Sequence, residues 1–271
     1  GNAQLPHGER KGRSMRERDF SRPTTLNPDR LFGQVAQKLA VAIISGDIGA
    51  GALLPNEDDL RADISVSRTA YREAVKILTA KGLVEARPKS GTRAAPRERW
   101  NLLDTDVLAW HFEADPNEKF IRDLFELRRF VEPSVARLAA QRRTAADIAR
   151  IEAALRAMTD NPPYSDPCVR GDLAFHEAIF AASQNAPLQC LASAVIATLQ
   201  WSLVLKKGDD EAFADSLPDH ENILLAIIDR DGDLAAVRMT GLVIDSLNTT
   251  LASVNVVQGE PDKIARINHT K

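Results

Sequence analysis

Three side chains in the C-terminal half of the sequence have the types that bind a divalent transition metal. Asp172 and His176 are four residues apart, so a helix would place them on one face, and His220 lies in a later predicted helix. A carboxylate and two imidazoles can hold a zinc-class ion with open coordination positions. The same residue types also fit a hydrogen-bonded Asp/His couple that binds no ion, which is the more common role of such a pair.

An arginine and a glutamate in an earlier predicted helix offer a second place for binding chemistry. Arg128 and Glu132 are also four residues apart. A guanidinium group pairs bidentately with a carboxylate, so Arg128 would suit an anionic ligand. The alternative is an ordinary ion pair between Arg128 and Glu132 on the helix surface, where most arginine–glutamate pairs at this spacing lie.

The N-terminal third carries cations at the start of a helix that follows a shorter helix and a turn. The second helix begins near Ser67, is apolar on one side, and ends near Gly82; residues 83–94 then form two predicted strands around a tight turn. This order is typical of a winged helix-turn-helix that binds DNA. We predict DNA contacts from the start of the second helix and from the hairpin, at Ser67, Arg68, Thr69, Arg72, Lys89, Gly91 and Arg93.

Charge is distributed unevenly between the two parts of the chain. Residues 1–99 hold 18 Lys and Arg against 12 Asp and Glu, a net charge of +6, whereas residues 100–271 carry −9. A basic N-terminal part on an acidic C-terminal part suits a DNA reader joined to a domain with another role. With 271 residues and 44% hydrophobic content, the chain can form two domains.

The remaining composition indicates the compartment. Cys168 and Cys190 have no metal or redox spacing, which favours free thiols in a reducing cytosol. The sequence shows no signal peptide, and we expect no apolar run to approach the ~20 residues of a membrane span. We therefore expect a cytoplasmic protein with no membrane partner.

Helical periodicity dominates the chain after residue 100, which predicts a mostly α protein. We expect a winged helix-turn-helix followed by an all-α bundle of six or seven helices. Among them are one helix from Pro116 to Arg142 interrupted at Pro133, and one from Pro187 to Lys206. The predicted segments are a basic disordered arm, a DNA-binding domain, a linker helix, a ligand-binding domain and a flexible tail, at residues 1–30, 31–95, 96–115, 116–257 and 258–271.

The N-terminal motifs also carry a resemblance. The ordered elements GxxLPxExxL from Gly51, VSRTxxREA from Val66, GLV from Gly82 and GT at Gly91 resemble the DNA-binding domain of the GntR family of bacterial regulators. Members of this family often have a basic residue after the glutamate of the first element, where it meets the DNA backbone. In this sequence Asp58 and Asp59 follow instead.

The segment DLAFHEAI around His176 resembles the DxxxH element of the FadR subgroup, whose FCD effector domain holds a metal with three histidines and an aspartate. The resemblance implies Asp172, His176 and His220 as ligands. The third histidine would fall at Leu242 or Ile244, with Asp245 as a substitute. We therefore expect weak or effector-dependent binding of a zinc-class ion. The competing expectation is that the three residues bind sugar hydroxyls directly.

Two further elements imply an effector. ELRRFVEP around Arg128 is similar to the ELRxxxEP element of the family, whose arginine faces the bundle cavity and meets an anionic effector. The segment from Trp100 to Trp110 resembles the WNxLDxDVLxW linker of galactonate-responsive members. The resemblance thus implies a small carboxylate such as a sugar acid, bound by Arg128 with Asp172, His176 and His220.

Three functions remain open at this point. The first is a ligand-responsive regulator that represses sugar-acid catabolism and binds palindromic double-stranded operator DNA as a homodimer. The second is a metal-dependent enzyme using Asp172, His176 and His220; we expect no enzyme, because no nucleophile, paired general base or phosphate loop accompanies them. The third is a DNA-binding protein without an effector. Effector-dependent release from DNA separates the first from the third, and turnover of a sugar acid would favour the second.

Overall fold

The computed structural model describes residues 31–56, 67–87, 91–114 and 117–259. The predicted arm, the first helix of the helix-turn-helix and Lys89 lie outside the described residues, as do residues 260–271. The helices are α1 (Leu31–Ile44), α2 (Arg68–Ala80), α3 (Thr105–Ala114), α4 (Glu118–Arg142), α5 (Ala145–Thr159), α6 (Asp166–Ala182), α7 (Ala186–Gln189), α8 (Ala192–Leu205), α9 (Asp210–Ile228) and α10 (Gly232–Gly259), with strands β1 (Val84–Arg87) and β2 (Gly91–Ala94). The fold class predicted from the sequence, a winged helix-turn-helix joined to an all-α bundle, is confirmed.

The second helix of the predicted helix-turn-helix is α2, which we call the recognition helix. A side-chain cap fixes its start. Ser67 has an extended backbone, and its side-chain oxygen accepts a hydrogen bond from the Ala70 amide at 3.2 Å. This bond satisfies one of the amides that the first helical turn leaves without a partner. Ala74 and Leu78 are fully buried against α1, so the opposite, cationic side of α2 faces outward.

The wing is an antiparallel hairpin in which Val84 pairs with Ala94 and Arg87 pairs with Gly91. The loop before the helix-turn-helix extends it, because the Leu54 amide donates to the Thr92 carbonyl at 2.9 Å. The wing is therefore fixed to the body of the N-terminal domain along both edges of β2.

Helix α3 is shared between two hydrophobic cores. Its Val107 and Trp110 belong to the core formed by α1, α2 and the hairpin, whereas Leu108 and Phe112 belong to the core of the helical bundle. All four side chains are at most 6% exposed. The predicted linker is thus an integral part of both hydrophobic cores.

The bundle that follows is built around α4, which packs along α10 and against α6. Asn117 caps α4 by accepting from the Phe120 amide at 2.8 Å. The predicted interruption at Pro133 is wrong, since α4 continues through it. Proline removes one helical donor, but buried residues on both sides hold the helix, and Ser134 donates to the Phe130 carbonyl at 3.1 Å.

One stretch corrects two expectations from the sequence. Residues 186–205 are long and apolar enough to cross a membrane by length and composition, with mean hydropathy 1.6, so the expectation that no such run exists was wrong. They also form two helices, because the chain turns at Cys190 and Leu191. Helix α8 packs between α3 and α6, with Thr198 and Ser202 among its buried residues. Its apolar character fits the interior of a helical bundle.

The turn after α2 gives a test of how tightly the N-terminal domain is joined to the linker. Gly82 has φ +79°, and a Cβ there would lie 2.1 Å from the Arg99 carbonyl oxygen. Gly82→Ala therefore combines backbone strain with a clash against main-chain atoms, and we expect a loss of unfolding free energy of more than about 2 kcal/mol in urea titrations. Gly46→Ala is the matched control, since Gly46 has φ +90° but open space around it. Equal losses in both variants would contradict the close approach.

Candidate functional site

A cavity of about 300 Å³ lies inside the helical bundle and collects the residues singled out in the sequence. Its walls come from five helices, and its polar lining includes Arg128, Asp172, His176, Lys206 and His220. Leu199, Leu203 and Leu242 supply apolar surface. The cavity therefore combines charged groups with an apolar wall, as small-molecule sites do.

Asp172, His176 and His220 converge at this cavity, and all three are buried. Each offers one ligand atom, and these atoms lie within 4.8 Å of one another. The Asp172 Oδ1 atom is 3.5 Å from His176 Nε2 and 3.6 Å from His220 Nε2. The structure thus brings the three side chains together, with His220 on α9 and the other two on α6.

Each imidazole makes a hydrogen bond through its Nδ1 atom. In a neutral ring, this bond determines which nitrogen carries the proton and which one remains an acceptor. His220 Nδ1 donates to the Ser216 carbonyl at 2.7 Å, and His176 Nδ1 lies 2.5 Å from Glu132 Oε2. Because a carbonyl can only accept, the neutral ring of His220 keeps its Nε2 as an acceptor. The same holds for His176 with its carboxylate partner.

The resulting three acceptors fit a cation. Asp172 Oδ1 and His220 Nε2 are buried and make no hydrogen bond. Two ligands about 2.05 Å from a tetrahedral zinc ion would be about 3.3 Å apart, close to the 3.5 and 3.6 Å that separate Asp172 Oδ1 from the two imidazoles. Outer partners such as Glu132 and Ser216, which orient metal-binding imidazoles, are typical of protein metal sites. The residues present therefore fit a zinc-class ion.

The fourth position implied by the family resemblance is apolar. Leu242 is buried and lines the cavity, whereas Ile244 does not line it. Asp245 lines the cavity but is exposed and does not belong to the group of mutually close ligand atoms. The structure thus brings together three ligands from this chain and places no fourth donor from α10 among them.

Arg128 is buried beside these ligands, so the alternative of an exposed surface pair does not hold. Its Nε donates to Glu132 Oε1 at 2.6 Å, and both side chains are only 1% exposed. The other oxygen of Glu132 meets His176. Burial raises the pKa of Glu132, but the Arg128 guanidinium and His176 outweigh it and lower the pKa to about 2. Arg128 Nη1 is buried with no hydrogen-bond partner, which leaves a donor for a ligand.

Lys206 is a second cation in the cavity. Its ammonium donates to Ser246 Oγ at 3.3 Å. Burial and the neighbouring Arg128 lower the pKa of Lys206 to about 8, while Asp172 partly opposes the shift. Only the fold brings Lys206, at the end of α8, to the same cavity as Arg128 of α4. Ser202 and Asn222 do not line the cavity.

Asp172 carries a negative charge between these cations. Burial raises its pKa, but His220, His176 and Lys206 outweigh the burial, so the pKa lies below its ordinary value. The cavity therefore brings together one carboxylate, two imidazoles, one guanidinium and one ammonium.

Most of the residues predicted to contact DNA lie in the N-terminal domain, on α2 and β2. Arg68, Thr69 and Arg72 are exposed on the first two turns of α2, next to the capping Ser67. On the wing, Arg93 donates from Nη1 to the Gly51 carbonyl at 2.9 Å, which ties its guanidinium to the loop.

Gly91 is adapted to its turn. It has φ +76°, and a Cβ there would come within 2.7 Å of the Leu53 side chain.

A winged DNA-binding domain joined to a helical domain with an internal polar cavity defines a class of protein, the ligand-responsive transcription regulators. Two family profiles match the chain: "Bacterial regulatory proteins, gntR family" at residues 31–93 and "FCD domain" at residues 123–244. The chain belongs to the GntR family of bacterial transcription regulators and carries an FCD effector domain. The family resemblance inferred from the sequence motifs is confirmed.

Individual relatives agree with this assignment. The galactonate operon transcriptional repressor of Escherichia coli K12 is 37% identical over 199 residues, which cover 73% of this chain and 86% of that protein. The Exu regulon transcriptional regulator of the same organism is 28% identical over 78% of this chain and 81% of its own. Among solved structures, the Listeria monocytogenes regulator Lar has a TM-score of 0.59 at 16% identity, covering 84% of this chain and 99% of that one. That last similarity supports the fold alone.

The buried pair below the cavity leads to a stability test. Arg128→Met would leave the Glu132 carboxylate buried without its guanidinium, and we expect a loss of about 3–5 kcal/mol of unfolding free energy. Arg128→Met with Glu132→Gln should recover most of it, since no uncompensated charge remains.

The control lies on the same helix. Arg122 and Glu118 form an ion pair with the same i, i+4 spacing, but half-exposed. Arg122→Met should therefore cost less than about 1 kcal/mol. Urea unfolding followed by circular dichroism measures all three variants. A double variant as unstable as Arg128→Met would show that buried charge is not the cause.

Proposed function

We propose that the protein is a repressor of sugar-acid catabolism that leaves its operator when a small hydroxy-carboxylate enters the bundle cavity. The observation that carries this proposal is the placement of Arg128 and Lys206 beside the Asp172, His176 and His220 group in one cavity. The similarity to the galactonate operon repressor of Escherichia coli suggests galactonate or a related aldonate as the effector.

The cavity can bind both ends of such a molecule. Arg128 Nη1 has an unused donor and Lys206 an ammonium, and these two cations can hold a carboxylate through charge-assisted hydrogen bonds. The acceptors Asp172, His176 and His220 can bind a divalent cation, which would offer Lewis-acid positions to hydroxyl oxygens. With only three protein ligands, we expect the cation and the hydroxy acid to bind more tightly together than separately.

The effector must bind the released conformation more tightly than the DNA-bound one, because a ligand shifts an equilibrium only through its differential affinity. A coupling of about 1–3 kcal/mol would change operator affinity about 5- to 150-fold. The acidic groups in the cavity serve binding in this proposal. We do not assign them a catalytic role.

We further infer a homodimer acting in the bacterial cytoplasm on a palindromic operator. One recognition helix reads too few base pairs for genomic specificity, and two copies related by a two-fold axis match half-sites about one helical turn apart. A monomeric mass of the DNA-bound protein by light scattering would contradict the dimer.

Operator reading is assigned to the start of α2. Arg68→Ala and Arg72→Ala should each lose about 1–3 kcal/mol of discrimination between operator and unrelated DNA, because an arginine reads guanine with two hydrogen bonds. Lys89→Ala should instead weaken binding to all sequences alike and reduce the salt dependence. Fluorescence anisotropy at several salt concentrations measures both effects. Lys76→Ala, further along α2 and paired with Glu73, is the control. An unchanged operator preference in Arg68→Ala would refute its assignment.

Effector binding is tested with a panel of galactonate, gluconate, galacturonate and lactate against protein purified without an affinity metal column. Calorimetric titrations with and without zinc should show tighter binding of the best acid when zinc is present. Lys206→Met should weaken binding of that acid about 10- to 100-fold, as expected for a lost charge-assisted hydrogen bond. Lys207→Met is the matched control, because Lys207 is the exposed neighbour.

Substitutions of two carboxylates that line the cavity test whether zinc binds there. Asp172→Asn should reduce zinc affinity at least about 10-fold, whereas Asp245→Asn should leave it unchanged. The alternative outcome is that the wild type binds no zinc with or without the acid, and that a chelator leaves its affinity for the acid unchanged. In that outcome Asp172, His176 and His220 are direct contacts to hydroxyl groups. Equal binding of the acid by wild type and Lys206→Met would remove Lys206 from the site.

A further inference from the structure

Lys81 joins the end of the recognition helix to the start of the linker helix. Its ammonium donates to both carboxylate oxygens of Asp104, at 2.6 and 2.8 Å, and lies 2.7 Å from Asp106 Oδ2. The Lys81 carbonyl also accepts from the Asn101 amide at 3.0 Å. One residue that directly follows α2 thus holds the N-terminal end of α3 through its side chain and its backbone.

This cluster is largely removed from water, and Asp104 is its most exposed member at 23%. The side chain of Asp106 is 1% exposed and that of Lys81 is 13% exposed. The Lys81 ammonium also lies 5.8 Å from the centre of the Trp110 ring. Burial lowers the pKa of Lys81, but the hydrogen bonds to Asp104 and Asp106 outweigh it, and the pKa is raised above its ordinary value. Paired charges in such a setting have a defined geometry and are costly to separate.

The opposite side of α3 contacts the wall of the effector cavity. The Phe112 ring stacks on the Trp201 ring, with centroids 5.2 Å apart and planes inclined by 18°. Trp201 lies on α8, whose Leu199 and Leu203 face the cavity. A movement of α8 therefore reaches α3 directly, and α3 is bound to the recognition helix at Lys81.

We propose that Lys81 is a positioning residue that couples the recognition helix to the effector domain by holding α3 through Asp104 and Asp106. Without this contact, the two domains would still bind their separate ligands but would no longer respond to each other. This coupling through Lys81 goes beyond the proposed function, because it does not depend on which acid or metal enters the cavity.

The three tryptophans of the chain make the coupling observable. In protein labelled with 5-fluorotryptophan, ¹⁹F NMR gives one resonance each for Trp100, Trp110 and Trp201, assigned with single Trp→Phe variants. The probe is a DNA duplex that the wild-type protein selects from a random pool, added to saturation. We expect DNA to shift the Trp201 resonance of the wild type, although Trp201 belongs to the effector domain.

In Lys81→Met the same duplex should shift Trp110 and leave Trp201 unmoved. Lys81→Arg, which keeps the charge, should restore part of the Trp201 shift. Lys76→Met is the matched control on the same helix, because Lys76 is exposed and pairs only locally with Glu73. If Lys81→Met does not fold, combining it with Asp106→Asn removes the more deeply buried of the two unpaired charges. Asp104→Asn weakens the contact while keeping Lys81.

The comparison distinguishes coupling from a merely structural role. A structural role would lower the affinity for DNA yet leave the Trp201 response intact once DNA is saturating. A wild type whose Trp201 resonance does not respond to DNA would overturn the proposal. So would a folded Lys81→Met, alone or combined with Asp106→Asn, that keeps the full Trp201 shift. Loss of the Trp201 shift in Lys81→Met, with the shift kept in Lys76→Met, would establish the coupling.

Discussion

The charges buried in the centre of the helical bundle are the constraint on which the effector domain depends. Arg128 and Glu132 are almost completely removed from water, so each requires a partner of opposite charge or a hydrogen bond. Glu132 meets this need on two sides, with Arg128 on its own helix and His176 on α6. The carboxylate that neutralises the arginine therefore also orients the imidazole, so that one residue holds both Arg128 and His176 in place.

This arrangement gives each polar group a separate role. Glu132 and the Ser216 carbonyl accept hydrogen bonds from the Nδ1 atoms of the two imidazoles. The Nε2 atoms of both rings therefore face Asp172. The Nε of Arg128 donates to Glu132, whereas its Nη1 is buried without a hydrogen-bond partner. The polar groups are held by helices packed on all sides, so their positions are set before any ligand arrives, which reduces the ordering cost of binding.

Much of the fold was predictable, because local rules govern it. Helical periodicity and capping residues such as Ser67 and Asn117 specify where helices begin, and the spacing of Asp172 and His176 puts them on one face. The predicted interruption at Pro133 was wrong, because packing along α4 compensates for one missing hydrogen bond.

The tertiary part of the site was not predictable from local patterns. Glu132 meets His176 across 44 positions, and Lys81 meets Asp104 across 23. Nothing in the neighbouring sequence marks these contacts. The spacing of Arg128 and Glu132 could be read, but whether the pair lies at the surface or in the interior depends on which way α4 faces in the bundle.

The sharing of α3 between two cores limits how this protein can be recombined with others. A hybrid regulator joined at residue 95 would deprive the winged domain of Val107 and Trp110 and leave its apolar interior open to water. A junction beyond residue 114 would keep that interior whole but would introduce Leu108 and Phe112 into a foreign bundle. Exchange of effector domains among such proteins therefore requires that the surface receiving α3 be inherited together with the helix.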